Sequence, residues 1–538
     1  MNDSLAWFAS AGAIALGVAV VARHLSMGFA LPVLAVGAVV GSLPFGPNAP
    51  LNPEVVLIAV LAPLVFGEAL GSSYLDIRRV SRPVLALAVG LVLFTTVTIG
   101  LVVSWAASVP MALGFALGAV LAPTDAVAVA TIARRAALPR RLVSILEGES
   151  LVNDGTGLTA LRVAVIAGTA GTITLWQVGW VLLLSILGGV LVGLTGGWVL
   201  ARIMANSRDV VATNALLLIA PFVVYLLAEQ LEGSGILAVV IAALYIAHAQ
   251  TSNPSQMGRM QSGIVWRQVT FILQAFAFFV VGLEIPDTFR RLDLDQVRTV
   301  VMVIAGVVLL LILTRMAFIM VTVSLRKSWR AERDYRLAFL AGWAGTRGPV
   351  SGMAALSIPF AVEGGPFTEY RDTLLATTFG VIVVTMVLAQ TLAPLARWMK
   401  IKPDDEAGTI ARVSAALAHA ALRQLEEAEQ EASMKGTPIP TSVVAPLQAQ
   451  VDARLEGLRV SGEDAGERAG KSVQGEADQP DVGSMRRMSL ELELLMVRAE
   501  QEELVRMRDE EGIPDAIVRP MLARLDARLQ VLLASGSG

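Results

Sequence analysis

The sequence predicts an all-α polytopic membrane protein of about thirteen transmembrane helices, arranged as two inverted six-helix repeats with interrupted crossing helices and followed by a helical cytoplasmic tail. Three observations carry that prediction. Of the 538 residues 55% are hydrophobic and only 16% charged, whereas soluble domains carry about 25% charged residues. Apolar stretches long enough to cross a bilayer recur up to Lys402. Basic residues collect in alternate loops, as they do when one side of a membrane retains them.

Cutting the chain at polar and Pro/Gly-rich breaks gives spans near 5–22, 27–44, 54–72, 83–107, 109–133, 142–167, 174–204, 210–231, 234–249, 265–286, 297–325, 336–360 and 371–398. The start of the chain carries Asp3 rather than a basic segment, and no small-residue cleavage pattern follows. The first apolar run therefore reads as a retained span and not as a signal peptide. With the N-terminus outside, the inside loops hold Arg23; Arg78, Arg79 and Arg82; Arg134, Arg135, Arg140 and Arg141; Arg202 and Arg208; Arg259 and Arg267; and Arg326, Lys327, Arg330, Arg333 and Arg336. The outside loops hold Arg290, Arg291, Arg298 and Arg371. This asymmetry predicts a multi-pass orientation with the C-terminus cytoplasmic; a bacterial inner (plasma) membrane is the expected location.

Several function classes fall away early. The net charge of -3 offers nothing to a nucleic acid, and the absence of cysteine excludes disulfides, thiolate metal sites and cysteine nucleophiles. The three histidines, His24, His248 and His419, are not paired for a transition metal. No cofactor is expected, and no enzymatic activity.

Ionisable residues inside the spans are the informative ones, because each costs roughly 2.5–3.5 kcal/mol at mid-membrane. They are Glu68, Asp125, Glu147, Glu149, Asp154, Arg162, Arg315 and Arg347. In the third span, Glu68 lies in LVFGEALGSS as either a secondary ligand or a structural acid. In the fifth, APTDAVAV places Pro123 two residues before Asp125. Proline removes a backbone donor and disfavours helix at Ala122, so the helix should break before Thr124 and free carbonyls that can face a cation.

The sixth span reads SILEGESLVNDGTGL. Ser150 and Asp154 are four residues apart and share one face, while Glu149 and Asn153 share another about 100° away. Hard cations take such carboxylate, hydroxyl and carbonyl oxygens. In the twelfth span, Gly345, Gly348 and Pro349 bracket Arg347 and mark a second break. Counted from the nearest loop arginines, Asp125, Asp154 and Arg347 lie about 14, 20 and 17 Å into the membrane, near its midplane. Arg347 cannot be neutralised and needs an acid; Glu149 is the expected partner. Arg162 and Arg315 read as packing or snorkelling charges.

After residue 402 the composition changes. Residues 403–538 form a charged, helix-prone tail with a Gly/Ser/Asp-rich stretch near 461–484, expected to be a disordered linker. Residues 1–402 form the transporter domain.

The segments APTDAVAV, EGESLVNDGTGL and GTRGPVSGMAAL resemble the signatures of bacterial NhaP-type sodium/proton antiporters, within the monovalent cation:proton antiporter superfamily. The resemblance implies a homodimer, with a six-helix core moving against a dimerisation domain. It implies a Na⁺ site made by the Asp125 and Asp154 carboxylates, the Ser150 hydroxyl and the Thr124 carbonyl, with Glu68 reached through water. It assigns Asn153, Glu149 and Arg347 to support. Asn153-Asp154, where electrogenic relatives have two aspartates, implies electroneutral exchange of one Na⁺ for one H⁺. Gly155, where many relatives have alanine, would loosen the sixth helix. The expected function is antiport by alternating access, in the service of sodium transport and pH homeostasis. Li⁺ or K⁺ on the same site are the nearest alternatives; a cation channel and an intramembrane aspartyl protease are the more distant ones.

Overall fold

The structure is a computed structural model and describes all residues except 1, 26, 44–54, 56, 126–137, 170–174, 208, 252–255, 326–334, 359–365, 402–403, 461–481 and 537–538. The chain divides into two compact units, Met1–Asp404 and Asp405–Gly538.

The first unit is a bundle of helices with no strand among the described residues. It begins with α1 (Asn2–His24) and α2 (Ala30–Ser42). A π-helical turn at Leu57–Leu61 leads into α3 (Ala62–Gly71), then the short α4 (Tyr74–Arg79) and α5 (Ser81–Leu85). A second π turn, Ala86–Leu91, feeds α6 (Val92–Ala106), and α7 (Met111–Leu121) follows. The long helices are α8 (Arg140–Thr169), α9 (Leu175–Asn206), α10 (Val210–Gln230), α11 (Gly235–Thr251), α12 (Gln256–Arg290) and α13 (Leu294–Leu325). Then come α14 (Tyr335–Trp343), α15 (Pro349–Leu356), α16 (Pro366–Ala389) and α17 (Leu392–Trp398).

Six of the described helical stretches are long and apolar enough to cross a membrane, and five shorter ones are apolar too. The distribution of apolar side chains suits lipid rather than water. Trp176 is 78% exposed and Leu191 63%, while Glu149, Asn153 and Arg347 are buried inside. The protein is a multi-pass membrane protein. Small residues let its helices touch backbone to backbone, as the packing of membrane helices demands. Where α2 meets α12, a Cβ on Gly37 would lie 3.1 Å from the Leu283 nitrogen, and one on Gly282 would run into the Leu34 carbonyl.

Two expected breaks are present. α7 stops at Leu121, and Ala122–Asp125 is non-helical. The second half of that span, 126–133, lies outside the described residues, as do Arg134, Arg135, Arg208 and most of the basic loop after α13. The twelfth span is two pieces, α14 and α15, separated by Ala344–Gly348. By contrast α8 runs unbroken through Gly155, which corrects the loosening expected there. A Cβ at 155 would meet the Leu237 Cβ at 3.3 Å, so the glycine serves a close approach to α11.

The second unit holds α18 (Glu406–Met434), α19 (Thr441–Val460), α20 (Val482–Glu510) and α21 (Asp515–Gly536). Asp405 caps α18 by accepting from the Gly408 N–H at 2.8 Å. Val413, Leu417, Val497, Leu504 and Ile517 make one apolar cluster, and Ala421, Leu425, Val444, Leu447 and Met496 another. The expected linker falls largely on residues 461–481, outside the described residues.

Candidate functional site

The two breaks are bound to each other. The Asp125 N–H donates to the Thr346 carbonyl at 3.0 Å, and the Thr346 hydroxyl donates back to the Asp125 carbonyl at 3.5 Å. The reason is backbone accounting: chain that leaves a helix inside a membrane must find other partners for its amides and carbonyls. Arg347 completes the arrangement. Its Nε donates to the Leu121 carbonyl at 2.6 Å, and its Nη1 to the Gly345 carbonyl. It thereby satisfies an end carbonyl of α7, one of the four that any helix leaves open. Its own N–H donates to Thr385 Oγ1 at 3.3 Å.

α8 packs against the first break and presents its two polar faces there. From one face, the Ser150 hydroxyl donates to the Thr124 carbonyl, with Asp154 one turn further along and 4% exposed. From the other, Asn153 Nδ2 donates to Thr124 Oγ1 at 3.0 Å, and Thr124 Oγ1 donates to Glu149 Oε1 at 3.3 Å. Thr124 is thus held by both faces, through its carbonyl and its hydroxyl. The Asn153 Oδ1 is buried with no partner among the described residues.

The expected pair of Glu149 with Arg347 is not formed. Arg315, on α13, takes that place: its Nη2 donates to Glu149 Oε2 at 2.7 Å, and its Nη1 to Oε1. Its Nε donates to the Ala341 carbonyl at 3.0 Å. Such a fork satisfies both carboxylate oxygens at once, and here the two side chains are 1% and 3% exposed. Arg347 is occupied by carbonyls that the helix breaks set free. Arg315 is therefore a structural clamp rather than a snorkelling charge. Its signal in the sequence was its position inside an apolar span, the same signal Arg347 gave. Arg162 pairs too, with Glu229 at 3.0 Å, half-exposed on α8 and α10.

Three further acids, Asp125, Asp154 and Glu68, lie near enough for their charges to act on one another. Asp154 lies within reach of the charges of Glu68 and Asp125, and Glu68 within reach of that of Asp125. Asp125 lies directly against Gly348, where a Cβ would be 2.6 Å from the Asp125 Cβ and Cγ. No three His, Cys, Asp or Glu side chains among the described residues cluster tightly enough to hold a metal ion by themselves. A cation at this site would complete its shell with the Ser150 and Thr124 oxygens. Sequence reasoning missed Gln274 of α12, whose Nε2 donates to Glu68 Oε1 at 2.9 Å. An amide in the apolar run FILQAFAFF was the available signal.

Two interrupted helices bound together beside buried acids, in a helical membrane bundle, are an arrangement of the kind that secondary transporters use. The chain belongs to the family described as "Sodium/hydrogen exchanger, transmembrane", whose profile matches residues 12–398. It is 32% identical over 376 residues to a sodium, potassium, lithium and rubidium/H(+) antiporter of Bacillus pumilus, covering 67% of this chain and 56% of that one. The chain thus spans little more than half of the length of that relative. An uncharacterized Na(+)/H(+) exchanger of Mycobacterium tuberculosis is 29% identical over 520 residues, covering 92% of this chain and 90% of that one. In fold it is similar to the sodium proton antiporter MjNhaP1 of Methanocaldococcus jannaschii, with a TM-score of 0.61 at 19% identity, covering 74% of this chain and 98% of that one.

Proposed function

We propose that this protein exchanges a monovalent cation, Na⁺ first, for H⁺ across a bacterial plasma membrane by alternating access. The observation that carries the reading is Asp125 at two bound helix breaks, with Asp154 of α8 within reach of its charge and the Ser150 hydroxyl on the Thr124 carbonyl. These oxygens are of the kind a dehydrated hard cation takes. Na⁺ requires an ionised Asp154; protons displace it, and either loaded state lets the core move between the two faces. Glu68 contributes from the side of α3, and Glu149, Asn153, Arg315 and Arg347 hold the frame.

One-for-one exchange belongs to the same proposal. Asn153 spends its amide on Thr124 and brings no second carboxylate beside Asp154. Li⁺ and K⁺ are carried as further substrates, a reading supported by the Bacillus pumilus relative, a sodium, potassium, lithium and rubidium/H(+) antiporter. A homodimer, an N-terminus outside and a cytoplasmic tail complete the proposal; they rest on the resemblance and on the loop arginines.

The test is flux in proteoliposomes. Asp154→Asn is expected to abolish Na⁺-dependent proton movement while the purified variant melts like wild type. Persistent flux in that variant would reject the site. A panel of Na⁺, Li⁺ and K⁺, with and without a membrane potential, reads ion preference and electroneutrality together.

A further inference from the structure

Gln274 is 5% exposed in the middle of α12, and its side chain donates to the Glu68 carboxyl group on α3. The two helices lie close at this point for a readable reason. Gly67, next to Glu68, has no side chain, and a Cβ there would be 2.9 Å from the Trp266 ring and would overlap Thr270 Oγ1. Trp266, Thr270 and Gln274 are spaced four residues apart and so share one face of α12. With Trp266 and Thr270 seated on Gly67, Gln274 one turn further along reaches the next side chain, Glu68.

A glutamate side chain has three rotatable bonds, so a carboxylate beside an ion site is useful only if something fixes it. A hydrogen bond to one carboxyl oxygen fixes the plane of the group and so aims the other oxygen. Gln274 takes Oε1, and among the described residues no donor takes Oε2. The carboxylate that Gln274 holds is the one within reach of both Asp125 and Asp154.

We propose that Gln274 is a positioning residue of the cation site, holding Glu68 Oε1 so that Oε2 is kept for the transported cation, directly or across a water. The proposal rests on the reading of Glu68 as part of that site. Gln274 acts through Glu68 and does not touch the ion. The rival is a plain interhelical hydrogen bond that joins α3 to α12 and nothing more.

A double-mutant cycle in proteoliposomes separates the two. Gln274→Met keeps length and volume and removes the amide. It is expected to raise the apparent KM for Na⁺ about fivefold, the size of coupling that hydrogen-bonded neighbours show, with the maximal rate nearly unchanged. In a Glu68→Gln background the same substitution should leave KM where it was. An unchanged KM in Gln274→Met overturns the proposal, as does an equal rise in both backgrounds. Gln274→Asn, whose amide is too short to reach, guards against misfolding: a wild-type melting temperature with raised KM is expected, and a wild-type KM overturns the proposal. Wild-type protein without any cation-driven proton flux would sink the transport reading and this proposal together. Flux that is lost in Asp154→Asn yet unaltered in Gln274→Met would sink this proposal alone.

Discussion

Both units of the chain bury acids beside arginines, and they do it differently. In the membrane unit Glu149 and Arg315 are 1% and 3% exposed. In the second unit Glu500 is equally buried at 1%, but Arg454, 2.8 Å away, is 38% exposed. An arginine with its head in water needs only one good contact, because solvent serves its other donors. Arg315 has no such reserve, so three of its nitrogens are committed to Glu149 and to the Ala341 carbonyl. The same pair of residue types is an accessory in one unit and an obligation in the other.

The contrast is sharpest if one partner is removed from each. Arg315→Ala strands a buried carboxylate and is expected to cost about 3–5 kcal/mol, read as a fall in melting temperature of the detergent-purified protein. Arg315→Lys should recover only part of that loss, since a single ammonium cannot reproduce the fork. A loss under 1 kcal/mol for Arg315→Ala would break the comparison. Next in size is Gly348→Ala, which overpacks the wall against Asp125 and should cost about 1–3 kcal/mol, with exchange falling alongside stability in the same preparations. Arg454→Ala should cost less than Arg315→Ala, about 1–3 kcal/mol, because it strands the buried Glu500 carboxylate but opens a place that water can fill where the exposed guanidinium stood; melts of the 405–538 fragment measure it.

The smallest effect is a dependence on pH. The Arg506 hydrogen bond, helped by the charges of Arg506 and Arg423, holds the Glu503 carboxyl below its ordinary value of 4.5. A carboxyl depressed in the folded state stabilises above its unfolded pKa and loses that contribution as pH falls through the folded one. The second unit should therefore keep its melting temperature down to about pH 4.5 and lose a little below it. Glu503→Gln should flatten that part of the curve in the same melts.

Local physics explains what was legible in the sequence. Pro123 constrains its own neighbourhood, so the end of α7 could be read from a few letters. The shared face of Ser150 and Asp154 follows from helical period alone. The partner of Glu149 could not be read this way. Arg315 and Arg347 are both arginines inside apolar spans, and only the tertiary fold, which brings the Arg315 side chain of α13 to Glu149 of α8, decides between them. Nor could the sequence anticipate that carbonyls released by the breaks would employ Arg347. The π turns at Leu57–Leu61 and Ala86–Leu91 and the seat of Leu237 on Gly155 likewise arise from neighbours distant in the chain. Gln274 carries no charge, and an uncharged amide in an apolar run is a weaker mark than an intramembrane acid or base.

The bonds joining the two breaks have a mechanical meaning. One bond between two chain segments is a pivot, about which either can swing. Here the Asp125 amide is tied to the Thr346 carbonyl, and the Arg347 guanidinium is tied back to the Leu121 carbonyl. Two ties made in opposite directions form a brace, which resists swinging as well as sliding. α7 and α15 are thereby coupled like two levers pinned at a common crosspiece, and a push on either is delivered to the other. Asp125, whose amide is one of those ties, is thereby held in a fixed place relative to both helices.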